Sequence, residues 1–495
     1  MHLRLLLAAA AVLFAGIAPA AEPDRAAIAE VDRIFADWAL DAHVPGLVYG
    51  IVREGRLVHV RGIGAQDVDA KRPISPDSLF RIASMSKAFT ALAILKLRDQ
   101  GRIVLDAPAE TYVPELKGWR YPTTDSPRIT VRNLLTHSAG FVEDNPWGDR
   151  QQVLPEEDFT ALLRTGPPLA RAPGLAMEYS NYGYAILGRI IGNVSGQRYQ
   201  DYIRTSIMAP LGMRSTEYDI FASPAGRRAI GYRWQDNAFR REPDMKDGAF
   251  GAMGGVETSA NDYAKWVAFL LDAWPSRDGA DAGPVKRATV REIVTGLNFA
   301  GGTMRAAAIG GAPCRQAVAY GMAWRVVDDC DLGRVVTHTG GYPGYGSVVM
   351  LLPDKGVGIF AFSSKTYGGP ALPAFRAALV LQKAGAFEDR KPPVDAGLAA
   401  AYASARAVWR AGDIGAAPLA NNMMLDRDAV RWRTLLAGLR AEVGQCGSAE
   451  PITPTSLMEG RFTWACEHGR IAGRVQRAPL QEIRLQALEF AVQAP

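Results

Sequence analysis

The sequence predicts an α/β fold: an antiparallel sheet flanked by N- and C-terminal helices, a large helical insertion, and a small C-terminal α+β domain. Two clusters of strand-like runs predict the sheet, one at 46–62 and one at 335–362. Helical patterns with frequent Pro and Gly breaks dominate between Asp106 and about Ala308. A charged, proline-bearing segment at 388–393 predicts a linker to the second domain, and 495 residues are many for one core.

The elements follow in order. Met1-His2-Leu3-Arg4, an apolar run from Leu5 to Ile17 and the small-residue end Ala18-Pro19-Ala20 form the pattern of an export signal cleaved near Ala20. This predicts a periplasmic or secreted protein. Residues 25–40 place Ile28, Val31, Ile34, Phe35 and Trp38 on one helical stripe. Apolar runs at 46–52 and 56–62 enclose Arg53-Glu54-Gly55, which reads as a β-hairpin. From Lys87 an apolar pattern continues through Leu97 and Leu105, so Ser84 heads a long buried helix. Strands are expected at 335–339, 347–352 and 356–362, and a helix at 370–383. Beyond the linker, 396–411 and 427–443 read as helices, and 460–466, 471–476 and 481–492 as strands. The expected plan is a signal at 1–20, a main domain at 21–387 and a C-terminal domain at 388–495. After the signal no stretch reaches the length of a membrane-spanning helix.

Composition removes some functional classes. With 48% hydrophobic and 22% charged residues the chain is an ordinary globular protein, and a net charge of +5 without a basic block gives nucleic-acid binding little support. No His-x-x-x-His or Cys-x-x-Cys spacing points to a metal. Four cysteines in an exported chain favour disulfides, and proximity pairs Cys314 with Cys330 and Cys446 with Cys466.

Three short motifs, each present once, carry chemistry. Ser84 and Lys87 stand three residues apart at a helix start, which stacks them on one face. A serine hydroxyl needs a base to become a nucleophile, and a buried lysine can serve. The unpaired N–H groups of the same helix end suit an oxyanion. Tyr179-Ser180-Asn181 offers a phenol to shuttle a proton and an amide to hold a substrate. His338-Thr339-Gly340-Gly341, at a strand end, offers a cleft-edge side chain and backbone N–H groups that a ligand can approach. His137 invites a Ser-His-Asp reading, but no Gly-x-Ser-x-Gly elbow accompanies it, and a buried, hydrogen-bonded histidine is expected there.

In this order the motifs resemble the serine β-lactamase and penicillin-binding-protein superfamily, on the branch with class C β-lactamases, D-aminopeptidases, D-alanyl-D-alanine carboxypeptidases and related esterases. Leu134 to Gly140, Pro210 to Met213 and Tyr320 to Trp324 resemble the same branch. The resemblance implies a β-lactamase-like fold and a small-molecule or peptide substrate, without metal or cofactor. It implies that Ser84 is acylated, that Lys87 and Tyr179 share the proton transfers, and that Asn181, His338, Thr339 and Gly340 contact substrate. It further implies an oxyanion hole from the N–H groups of Ser84 and Gly341. One departure stands out: His338 occupies a place where relatives usually carry lysine, and with an ordinary pKa of about 6.5 it is largely neutral at neutral pH. This moves the reading away from penicillin hydrolysis, unless Arg325 or another arginine replaces the charge. The expected function is an exported serine hydrolase acting on amide or ester bonds through an acyl-enzyme. A class C-like β-lactamase and a non-catalytic peptidoglycan- or β-lactam-binding sensor are the alternatives.

Overall fold

The computed structural model describes residues 25–144, 148–166, 169–447 and 450–493, so the expected export signal lies outside the described residues. Helix α1 (Arg25–Asp41) leads into strands β1 (Gly46–Arg53), β2 (Arg56–Asp67) and the short β3 (Arg72–Pro73). Helices α2 (Lys87–Asp99) and α3 (Asn181–Ser195) belong to the helical part that follows. The chain then returns to the sheet with β4 (Asn298–Met304), β5 (Arg315–Tyr320), β6 (Arg325–Asp329), β7 (Gly333–Tyr342), β8 (Tyr345–Leu352) and β9 (Val357–Ser363), closed by α4 (Ala371–Lys383). The nine strands lie in the order β3-β2-β1-β9-β8-β7-β6-β5-β4, so β1 and β9, the first and last strands of this sheet in sequence, pair in its interior.

Both faces of the central strands are buried, which is why β1 reads as a continuous apolar run. Leu47, Tyr49 and Ile51 turn to one core, with Val31 and Phe35 of α1 and Ala374, Ala377 and Leu381 of α4. Val48 and Val52 turn to the other, with Phe89 and Leu92 of α2, Trp266, Phe360 and Phe362. The β1–β2 turn is the expected hairpin: Glu54 and Gly55 both have positive φ, 50° and 73°, as a two-residue turn matching strand twist requires.

Three expectations need correction. Ser84 sits in a separate 3-10 turn, Ala83–Ser86, and the α-helix proper begins at Lys87. That helix ends at Asp99, and Leu105 is buried in the chain beyond it. The apolar pattern ran on because nearly every residue of α2 is buried, so its sequence has no polar face to mark an end. Third, the sheet holds three more late strands than expected, β4 to β6, in a region read as helix and loop or left unassigned.

Residues from Ala396 onward build another core. Three helices, Ala396–Ala411, Met423–Asp426 and Ala429–Val443, pack on a four-stranded antiparallel sheet of Thr453–Pro454, Glu459–Cys466, Gly469–Arg477 and Leu485–Gln493. Leu398, Trp409, Trp432, Leu436, Phe462, Trp464 and Phe490 meet inside it. Both expected disulfides are present, Cys314–Cys330 and Cys446–Cys466. Among the described residues no helix is long and apolar enough to cross a membrane.

Candidate active site

The turn bearing Ser84 is held from two sides. Ile82 N–H donates to the Val256 carbonyl (3.0 Å), Ser86 Oγ accepts from Val256 N–H (3.0 Å), and Ser347 Oγ of β8 donates to the Ile82 carbonyl (2.8 Å). Ala83, directly before the serine, has φ 48°, a left-handed conformation that costs a residue with a Cβ on the order of 1 kcal/mol. That strain sits one residue before Ser84 and is sustained by the contacts around it.

Lys87 is fully buried, and its Nζ lies 3.1 Å from Ser84 Oγ, 2.7 Å from Asn181 Oδ1 and 2.8 Å from the Met253 carbonyl. The rings of Tyr179 and Tyr184 stand 5.0 and 5.4 Å away. Burial pushes the lysine down to about 7, and the charge of Asp144 acts in the opposite direction. A neutral amine there can give its two hydrogens to Asn181 and Met253 and turn its lone pair to the serine hydroxyl.

Tyr179 Oη donates to the same Ser84 Oγ at 2.9 Å. Burial raises its pKa well above the ordinary phenol value, so the group carries its proton and acts from the protonated side. His137 packs on the Tyr179 ring at 4.3 Å and accepts the Ser180 N–H on Nδ1 (3.1 Å). Burial holds it neutral, the structural histidine expected. The loop after it places Asp144 so that its carboxylate accepts the N–H groups of Asn181 and Tyr182 at 2.7 Å each.

His338 and Gly340 lie on the face of β7 toward Ser84. His338 Nδ1 donates to the Thr339 carbonyl (2.7 Å), which leaves Nε2 to accept the Tyr320 hydroxyl (3.0 Å). Burial and the Lys87 charge push it to about 3, so it is neutral for a second reason beyond its ordinary pKa. Gly340 and Gly341 lie inside the strand, which runs on to Tyr342, rather than in a turn at its end. A Cβ on Gly340 would stand 2.3 Å from the Ile82 carbonyl oxygen, so glycine is what lets β7 lie against the serine turn. On the opposite face the Tyr367 ring covers Gly341, and its hydroxyl donates to Asp149 across the cleft.

Strand β6 pairs with β7 only from Gly333 to Thr337, so 338–342 presents an edge on that side. The two-residue loop Pro343-Gly344 makes Tyr342 and Tyr345 a hydrogen-bonded pair. By alternation, the N–H and C=O of Thr339 and Gly341 point to the edge. The edge opens into a cavity of about 1010 Å³ whose floor holds Ser84, Tyr179 and Asn181. Arg325, Thr337, Thr339 and Phe375 line the same cavity.

All the residues singled out from the sequence therefore come together: Ser84, Lys87, Tyr179, Asn181, His338, Thr339, Gly340 and Gly341. Asp144, Met253, Asp149 and Tyr367 were missed. Each acts through a backbone group or a position fixed only by the folded chain. No local pattern marks them.

The Beta-lactamase family model matches residues 25–383. The chain belongs to this family. "Protein flp" of Staphylococcus aureus (strain N315) is 30% identical over 68% of this chain, which spans 62% of that protein's length. "Penicillin-binding protein 4*" of Bacillus subtilis (strain 168) is 26% identical over 63% of the chain and 66% of its own length. Among solved structures, the octameric penicillin-binding protein homologue from Pyrococcus abyssi aligns over 93% of this chain and 100% of its own, with TM-score 0.60 and 20% identity. A class C beta lactamase from Rhodobacter sphaeroides aligns over 71% of this chain and 98% of its own, with TM-score 0.54 and 23% identity. These likenesses bear out the β-lactamase-like fold, and the penicillin-binding-protein homologue extends over most of the C-terminal part as well.

Proposed function

We propose that this family member is an exported serine hydrolase that cleaves amide or ester bonds of a D-amino-acid peptide or small ester through an acyl-enzyme at Ser84. One observation carries the reading: Ser84 Oγ lies within 3.1 Å of a buried lysine brought to about 7 and 2.9 Å from a protonated phenol. Neutral Lys87 takes the serine proton as Oγ attacks the carbonyl carbon, and the N–H groups of Ser84 and Gly341 receive the oxyanion. The proton leaves through Tyr179 onto the departing nitrogen or oxygen, and water then releases the acyl group.

The substrate edge is the unpaired stretch of β7, with Asn181, His338, Thr339 and Gly340 around it. Arg325 has no ion-pair partner among the described residues and lines the same cavity, where a substrate carboxylate would find the charge that neutral His338 lacks. This keeps class C-like β-lactam hydrolysis as the second reading. Residues 388–495 are assigned to a separate domain, and the protein to the periplasm or the exterior.

A fluorophosphonate probe should label the wild type and leave Ser84→Ala unlabelled. Labelling that persists in the variant and maps to another serine rejects the assignment. Intact-mass detection of adducts across β-lactams, D-amino-acid amides and p-nitrophenyl esters then separates the substrate classes.

A further inference from the structure

Asp144 is only 5% exposed, yet it carries a carboxylate in the helical part of the fold. Its Oδ1 accepts the Asn181 N–H and its Oδ2 the Tyr182 N–H, both at 2.7 Å, at the first turn of the fifteen-residue α3. Ser180 Oγ accepts the Gly183 N–H at the same helix end (3.1 Å). The helix already has an ordinary cap, so a buried anion is more than capping requires. What lies next to it explains the excess: Asn181, whose backbone Asp144 holds, presents Oδ1 to Lys87 Nζ at 2.7 Å.

We infer that Asp144 is a positioning residue with two tasks: it fixes Asn181 against Lys87, and it is the counter-charge against which Lys87 titrates. The other titratable groups facing the lysine are without charge at neutral pH. His137 and His338 are held neutral by burial, and the buried phenols Tyr179 and Tyr184 keep their protons. Glu143 acts on Tyr179. Asp144 is the carboxylate that opposes the burial of Lys87; burial raises its own pKa, and the Asn181 and Tyr182 N–H groups and the Lys87 charge work against that rise and favour its ionised form.

The consequence has a definite sign. Neutralising Asp144 leaves burial unopposed, so Lys87 loses its proton at a lower pH. It is also a weaker base once neutral. The acid limb of Ser84 acylation then moves to lower pH, while the plateau at high pH falls. A purely structural anchor would lower the rate at every pH and leave the limb in place.

This inference rests on the reading of Lys87 as the base for Ser84, and the test separates the two. Lysine carrying a 13C label at Cε is titrated by NMR in the full-length protein, with Lys87→Met giving the assignment. The fluorophosphonate labelling rate is followed over the same pH range. The wild-type midpoint is expected near 7, and Asp144→Asn should lower it by about one pH unit. Asp144→Glu, which keeps the charge, should restore it. An unmoved midpoint in a folded Asp144→Asn overturns the counter-charge. Should Asp144→Asn and Asp144→Ser both fail to fold while Asp144→Glu folds, the carboxylate serves the fold and the inference is equally overturned. An unlabelled wild type would sink the serine-hydrolase reading instead, because the NMR midpoint reports on Lys87 without any turnover.

Discussion

Burying Lys87 makes it a usable base and sets two pH dependences of known sign. For catalysis, the amine must be neutral, so kcat/KM should rise through about pH 7 and show no separate limb from His338, held near 3. For stability, the unfolded lysine titrates near its ordinary value of about 10.4, so between these limits the unfolded chain binds a proton that the folded chain does not. Stability therefore rises with pH across that window, on the order of 1 kcal/mol per unit. Urea denaturation at pH 7 and 9 should show this slope in the wild type, and Lys87→Met should lack it. His338 lends itself to a second substitution. His338→Lys should shift selectivity toward carboxylate-bearing substrates, by about tenfold to a hundredfold in the kcat/KM ratio of a D-peptide to a neutral ester. If both activities collapse with the ratio unchanged, His338 belongs to the proton machinery. The Ser84, Tyr179 and His338 motifs were legible because each packs its chemistry into three or four consecutive residues. Asp144 was not, since a carboxylate in a loop acquires its role only where the chain brings it back onto α3.

At the level of elements, the site is a meeting of one turn with one strand edge, and its tolerance is measured in tenths of an ångström. Gly340→Ala would put a Cβ 2.2 Å from Ser347 Oγ as well as against Ile82, so β7 or the serine turn must shift. Acylation should fall at least about tenfold, as misplacement by a fraction of an ångström to an ångström commonly does. Far-UV circular dichroism should stay unchanged, and a fully active Gly340→Ala would show that the close approach is dispensable. The strands that went unread share a cause. β4 has glycines at 301 and 302 and side chains that are half-buried or exposed, so nothing in its sequence alternates. β5 does alternate, with Gln316, Val318 and Tyr320 buried, but over six residues that is a short signal. These strands are ordered by their neighbours and by the Cys314–Cys330 bridge, and both are long-range features. The central strands were readable because burial on both faces leaves an unbroken apolar run.

Across the whole molecule, the buried residues from Leu398 onward form a core of their own, apart from the two cores that flank the large sheet. Cys446–Cys466 closes a loop within the C-terminal core, distant in sequence from Ser84. Replacing both cysteines by serine should destabilise that part by about 2–4 kcal/mol in denaturant unfolding and leave fluorophosphonate labelling unchanged. Loss of labelling would tie the C-terminal part to the active site. The linker was recognisable from its charges and prolines, but its attachment was not. Arg390 reaches the carbonyls of Leu271 (3.1 Å) and Trp274 (2.8 Å), and its backbone N–H donates to Asp354 (2.6 Å). Gly356 leaves the space its guanidinium occupies. On the far side, Asp395 caps the next helix and pairs with Arg477 at 2.8 Å. The free span is thus residues 391–394 alone, two of them proline. Fully drawn out, such a span reaches about 14 Å. The C-terminal body is therefore on a short leash: the start of its first helix, held by Asp395 and Arg477, stays within about 14 Å of the point where Arg390 is anchored.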